Sequence, residues 1–220
     1  MENLIRDLLH LEDASLCRQL AAIAELQNLR KGETFLKIGD HQTKLSILVD
    51  GIVRFYYRDR NQKEYTMCFI CKRGYPAMVD SYSKSILTGA HAVTEATLLN
   101  FPMEPGLSMI GHNPELVNLY IRILRKCMLF HAETAMILRG CTALQRYMWF
   151  LETFPDVAHI ANGRHIASFL NISPETLSRL RAKQREDPQD FCRMFNSACN
   201  KNFDMVRADV DLDTPFEFLL

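Results

Sequence analysis

The chain has 220 residues, 48% of them hydrophobic, with 26 basic and 26 acidic side chains and a formal net charge of zero. That length suits two domains, and no segment keeps the unbroken apolar run that a bilayer requires, so a membrane span is not expected. A neutral chain is no general polyanion binder, and any affinity for nucleic acid has to come from a local patch.

The opening residues, Met1 to Asp7, lack the basic-then-apolar layout of a secretory signal. Seven cysteines make an odd number, so a cytosolic protein without a disulfide framework is expected. From Asn3 to Leu26 the apolar residues Leu4, Leu8, Leu11, Leu16, Leu20 and Ile23 recur at helical spacing. The period then shortens. Residues 46–57 form two β-rich runs joined at Asp50-Gly51, which predicts a hairpin. Arg58 to Gln62 is a second, polar turn, and Lys63 to Ile70 continues as a strand. Gly74-Tyr75-Pro76 breaks the pattern, and Ala92 to Phe101 resumes it, so the first hundred residues predict a β-sandwich or barrel. Cys68 and Cys71 have the spacing of a metal or redox pair. On a strand, residues three apart face opposite ways, which favours buried structural thiols.

Helical spacing returns from about Pro114 to Leu138 and carries more apolar surface than one small domain needs. This helix either packs on its own β-domain or forms a two-fold dimer seam through Ile123, Cys127 and Phe130, and the two roles are compatible. Gly140 reads as a helix end or hinge, residues 141–154 as a further helix, and residues 155–163 as a connecting segment.

Between Arg164 and Lys183 the spacing predicts a helix-turn-helix. Ala167 is small where two helices cross. Ile166, Leu170, Ile172, Leu177 and Leu180 are apolar where they face each other and the core. Asn171 sits where a left-handed turn residue is needed, and Asn tolerates that conformation next best after Gly. Ser173 is a cap, Pro174 suits the first helical position, and Glu175 suits the positive helix end. The outward face then carries Pro174, Glu175, Ser178, Arg179 and Lys183, with Thr176 at its flank. Glu can accept from cytosine and Arg can pair bidentately with guanine. Arg164, Arg181, Lys183 and Arg185 are placed for phosphates.

The order β-domain, long helix, hinge and helix-turn-helix resembles the Crp/Fnr family of bacterial transcription regulators over roughly Leu29 to Lys183. Three stretches carry the resemblance. Residues 31–40 are similar to the family's opening strand and turn, and residues 48–54 to its L-x-x-G-x-V-R/K motif. Ser173-x-Glu175-Thr176-Leu177-Ser178-Arg179 is similar to its recognition helix. The resemblance implies an α+β chain: an N-terminal double-stranded β-helix (jelly-roll) barrel of the cyclic-nucleotide-binding type in residues 1–111, and a long dimerisation helix in 112–139. A winged-helix-like helix-turn-helix domain follows in 140–187, with an acidic extension in 188–220. It further implies a cytoplasmic homodimer on a near-palindromic duplex, with RNA polymerase as a partner; the sequence shows no nucleophile–base constellation, phosphate loop or metal set, so no enzymatic activity is expected, and no membrane association. By the resemblance Glu175 and Arg179 fall on base-reading positions, and Ser173, Thr176 and Ser178 on neighbouring contacts. Family members often carry Arg where this chain has Pro174, which implies a different base preference. The strand alternation of a wing is missing beyond Pro188.

The family's cyclic-nucleotide cassette offers a Glu for the ribose and an Arg for the phosphate. Here Val79 falls near the first and Ala90 near the second, so tight cyclic AMP binding is not expected, although His91 is a weaker donor and Lys84 lies close by. Met67, Phe69, Met78, Val79, Ala90 and His91 are the positions for an unknown small-molecule effector. Only Cys17 precedes the β-domain, which does not match the family's iron–sulfur sensors. His41, His91 and His112 sit in or beside the β-domain, where a lone edge histidine is ordinarily a surface residue rather than a haem ligand. No cofactor is expected. Two alternatives remain open: a ligand-binding module with a degenerate DNA domain, and a cysteine-based redox or metal sensor using Cys68 and Cys71.

Overall fold

The computed structural model describes residues 1–77, 86–110 and 113–186. It divides into two compact units, the first running from Met1 to Arg125 and the second beginning at Lys126.

The first unit opens with two helices. Helix α1 (Glu2–Leu9) ends on His10, whose φ of 53° turns the chain left-handed. Helix α2 (Ala14–Ile23) starts on Asp13, whose carboxylate accepts from the amides of Ser15 and Leu16. The helical spacing expected to run on to Leu26 therefore stops at Ile23, and Leu26 belongs to strand β1 (Glu25–Leu29). Strands β2 (Thr34–Leu36), β3 (Lys44–Asp50), β4 (Val53–Arg58), β5 (Glu64–Ile70), β6 (Gly89–Ala92) and β7 (Ala96–Pro102) follow, then helices α3 (Met103–Ile110) and α4 (Pro114–Gly140).

The strands form two antiparallel sheets, ordered β1-β7-β3 and β2-β6-β4-β5. Among the described residues the ladders do not join into the closed barrel expected from the sequence; the strands make a two-sheet roll. The expected hairpin at Asp50-Gly51 is also corrected, because β3 and β4 lie in different sheets. Gly51, at φ 89°, passes so close to Glu95 and Ala96 that a Cβ there would collide with backbone, so this turn carries the chain across the roll. The hairpin that does form joins β4 to β5 through the polar turn after Arg58. One bulge interrupts it: Phe55 pairs with Cys68 and Tyr56 with Thr66, leaving Met67 as the extra residue.

The outer face of β3 and β7 is covered by helices. Ile47, Leu99 and Phe101 pack with Ile5, Leu8, Leu11, Leu16 and Leu20 of the N-terminal segment and with Leu116 and Ile123 of α4. Arg122 donates to the Leu9 carbonyl at 3.2 Å, and Glu115 accepts from the Glu12 amide at 2.9 Å, which ties the start of α4 to this layer.

In the second unit the end of α4 is followed by α5 (Ala143–Thr153), α6 (Pro155–Ile160), α7 (Gly163–Phe169) and α8 (Pro174–Glu186). Thr142 and Gln145 form a reciprocal capping box at the start of α5. The segment expected to be a plain connection is helix α6, nucleated by Pro155 at its first position. The core is aromatic. Trp149 lies 6.0 Å from Phe169 in a stacked pair and 5.8 Å from Phe154 edge-on, and Phe150 lies 5.7 Å from Phe169. The Trp149 indole N–H donates to Glu133 of α4 at 3.0 Å, which satisfies the one polar atom of a side chain only 1% exposed.

Candidate nucleic-acid interface

Helices α7 and α8 meet through a four-residue turn built by local chemistry. Asn162 caps α7 by accepting from the Arg164 amide at 2.9 Å. Ile166, Ala167, Phe169 and Leu170 are buried. Asn171 adopts a φ of 52°, and the amides of Asn171 and Ile172 donate back to Ser168 and Ala167. Ser173 caps α8 by accepting from the Thr176 amide at 3.1 Å, and Pro174 is the first helical residue. Leu177 is buried and Leu180 half-buried, which anchors the inner stripe.

The opposite stripe is open. Ser173, Pro174, Glu175, Ser178, Arg179 and Lys183 are exposed, as is Arg164 at the start of α7, while Thr176 is half-buried. Ser173 and Thr176 hydroxyls lie 3.1 Å apart, and Arg179 donates to the Thr176 hydroxyl at 3.3 Å. The Glu175 carboxyl is held below its ordinary range by its own backbone N–H at the helix start, then by the Ser173 hydroxyl, and by the charge of Arg179. Arg181 is different: it is half-buried and donates to the Ala158 carbonyl at 3.2 Å. Among the described residues the exposed cations of this face are therefore Arg164, Arg179, Lys183 and Arg185.

Two further residues hold the pair in place, and neither is marked in the sequence. Arg146 of α5 donates to the carbonyls of Leu170 and Asn171 in the turn. Tyr147 donates its hydroxyl to Gln184 of α8 at 2.9 Å. Their partners lie 24 to 37 residues away, beyond any local pattern.

Among the described residues, the effector positions divide between the two faces of the sheet. Ala90 and His91 are successive residues of β6 and face opposite sides of the sheet. His91 and Phe69 both pair across Arg54, Ala90 pairs with Phe55 on the other face, and Met67 sits in the bulge. Met78 and Val79 lie outside the described residues, as do Lys84, His112 and residues 187–220. A cavity of about 280 Å³ opens elsewhere in the roll, beside Phe35 and the hydrogen-bonded set Ser46, Asn100 and Gln27. None of the described effector positions lines it.

The face that bears His91 carries a buried ion network instead. Arg54, 1% exposed, donates through Nε to Thr66 at 2.8 Å and through Nη1 to Glu64 at 3.2 Å, and its guanidinium lies 4.9 Å from the Tyr56 ring. Burial pushes the Glu64 carboxyl up, but the hydrogen bonds and charges of Arg58 and Arg54 together hold it below its ordinary value. His91 is pushed down by burial and then by the positive charge of Arg54, which keeps the imidazole neutral near pH 7.

Along α4, Ile123 is buried in the core of the first unit, Cys127 is half-buried with its thiol pushed up by burial, and Phe130 is half-buried at 6.2 Å from Phe154. The large apolar side chains left open on α4 are Leu124 (49% exposed), Met128 (64%) and Met136 (52%); Leu124 and Met128, four residues apart, share one helix face. Cys68 is buried in β5 and Cys71 is half-buried beyond its end; neither is in a disulfide. The described residues contain no cluster of three or more metal-ligating side chains, and no described helix is long and apolar enough to cross a membrane.

No protein-family model matches the chain, and no curated protein matches it. Solved structures do. A protein from Eubacterium rectale, described as a transcriptional regulator of the Crp/Fnr family, superposes with a TM-score of 0.67 at 14% identity, covering 84% of this chain and 95% of that one. FixK2 from Bradyrhizobium japonicum gives 0.64 at 17% identity, with coverages of 74% and 85%. The c-di-GMP-responsive global regulator CLP of Xanthomonas campestris gives 0.63 at 14% identity, with coverages of 80% and 93%. At these identities the likeness is one of fold, and the fold is that of the Crp/Fnr-type regulators.

Proposed function

We propose that this chain is a sequence-specific DNA-binding transcription regulator of the Crp/Fnr type, acting as a cytoplasmic homodimer without catalysis. The observation that carries the reading is the outward face of α8. Glu175, Ser178 and Arg179 project from a helix whose start is capped by Ser173 and whose inner stripe is anchored by Leu177. A groove-reading helix needs that division of faces: hydrogen-bonding groups outward near the N-terminus and apolar residues inward. Glu175 is ionised and accepts from a cytosine amino group, Arg179 pairs with guanine, and Arg164, Lys183 and Ser173 hold the phosphates. Residues 140–187 form the DNA-binding domain, residues 1–111 the effector domain, and the helix between them the dimer seam. The exposed Leu124 and Met128 support a seam on that helix, about 100° round it from Ile123 and Cys127. Two copies would present their recognition helices about 34 Å apart, to successive turns of the major groove.

The effector domain is not controlled by cyclic AMP on this reading, because Val79 and Ala90 provide neither carboxylate nor guanidinium at the clamp positions. RNA polymerase is the expected partner at the promoter. The decisive experiment is selection of bound duplexes from a random DNA pool by the purified protein at moderate salt. Enrichment of a two-fold symmetric motif is the expected result, and failure to enrich any motif in the presence or absence of cell-extract metabolites would defeat the reading.

A further inference from the structure

We propose that Arg146 is a positioning residue for the recognition helix: it latches the turn before α8 to the end of α4. The proposal rests on the reading of α8 as a DNA-reading helix. The guanidinium spans three backbone carbonyls. Its Nε donates to Cys141 at 2.9 Å, and its Nη1 donates to Leu170 at 3.0 Å and to Asn171 at 3.1 Å. Cys141 is the first residue after α4, while Leu170 and Asn171 close α7 and begin the turn into α8.

The chemistry favours this residue type. Carbonyls at a helix end lack partners within the helix and form its negative pole, so a cation there is doubly favoured. A planar guanidinium with five N–H donors can hold acceptors from two chain segments in one fixed arrangement, whereas an ammonium is a flexible point donor. The latch acts where it has most leverage. Asn171 is already in the left-handed region, and Pro174 starts α8 three residues later, so the direction of α8 follows from the placement of this turn. Arg146 is itself fixed at its base, because α5 starts on the Thr142–Gln145 capping box and its next residues, Tyr147 to Phe150, are buried. A shift of the turn would leave the hydrophobic core intact while moving Glu175 and Arg179 off their bases.

Arg146→Met and Arg146→Lys test the latch, with the duplex enriched from the random pool as the DNA probe. Trp149, the single tryptophan, reports on the core through its fluorescence. Arg146→Met is expected to lose tenfold or more in affinity with native Trp149 emission, and with a salt dependence of binding parallel to the parent. Affinity within twofold of the parent would overturn the proposal. So would a salt slope reduced by about one unit, which would mark Arg146 as a phosphate contact. A readout without DNA separates this inference from the functional reading: exchange of the Asn171 and Ile172 amides should accelerate at least tenfold in Arg146→Met, and unchanged exchange overturns the latch even if no duplex is enriched. Should Arg146→Met unfold, Arg146→Lys decides on the same terms, and unfolding of both variants would reduce Arg146 to core support.

Discussion

Replacing Gly51 by Ala puts one methyl group where the chain crosses between the two sheets. The added Cβ would meet the Glu95 carbonyl oxygen and would lie 2.6 Å from Ala96 Cα, so the obstruction is backbone and cannot rotate away. Two costs add. The left-handed conformation costs an L-residue about 1–2 kcal/mol, and overpacking against fixed atoms costs about 1–3 kcal/mol. The lower entropy of the unfolded alanine chain returns about 0.4–1 kcal/mol. The net loss is about 1–5 kcal/mol. With a urea dependence of about 2 kcal/mol per molar, a loss near 3 kcal/mol lowers the unfolding midpoint by about 1.5 M. Far-UV circular dichroism is the suitable probe, because the single tryptophan lies in the other unit. A midpoint lowered by less than about 0.3 M would refute the crossover geometry, since an ordinary exposed hairpin turn would relax around the methyl group at little cost.

Arg179→Ala is expected to cost about 1–3 kcal/mol in operator binding and to relax one base position in each half-site; a uniform loss on all sequences would mark a phosphate contact instead. Met128→Glu places a charge in the exposed stripe of α4 and should dissociate the dimer in sedimentation equilibrium, so a variant that sediments like its parent would argue against the seam. The sign for His91 follows from its depressed folded-state value: below about pH 6.5 the unfolded chain binds a proton that the folded chain resists. Stability of the β-rich unit should therefore be full above that pH and fall as the pH drops toward 5, and His91→Gln should flatten the slope of the urea midpoint across this window.

Legibility in the sequence followed the range of the interactions. The α7–α8 pair could be read residue by residue because each device is local: Ser173 caps an amide three residues on, Asn171 needs only its own dihedral, and Leu177 follows one helix period. The two-sheet roll was legible as strands but not as pairings. Asp50-Gly51 has the chemistry of a hairpin turn, yet the partners of the flanking strands, β7 for β3 and β5 with β6 for β4, lie elsewhere in the chain. Ala90 and His91 are neighbours in the expected pocket segment, and the two-residue period of a strand separates them onto opposite faces. Arg54 is the clearest omission. It ends a recognisable motif, but its burial depends on Glu64 and Thr66 across a bulged ladder whose register the composition does not show.

The neutral charge of the chain and the hydrogen bonds around α8 bear on one another. A regulator that binds mainly by charge needs many phosphate contacts, each adding close to one unit to the salt dependence. Among the described residues the exposed cations of the proposed reading face are few, and one of the arginines on α8, Arg181, is engaged with the Ala158 carbonyl instead. With a modest electrostatic contribution, affinity and specificity depend more on the fit of a small number of base contacts, and a bidentate contact tolerates little misalignment. That requirement accounts for the way α8 is held. The Arg146 latch at the turn before it, the Arg181 bond to α6 and the Tyr147 bond to Gln184 near its end fix both direction and register. On the proposed reading, Arg146 and Arg181 hold the helix in place instead of adding to the attraction for DNA.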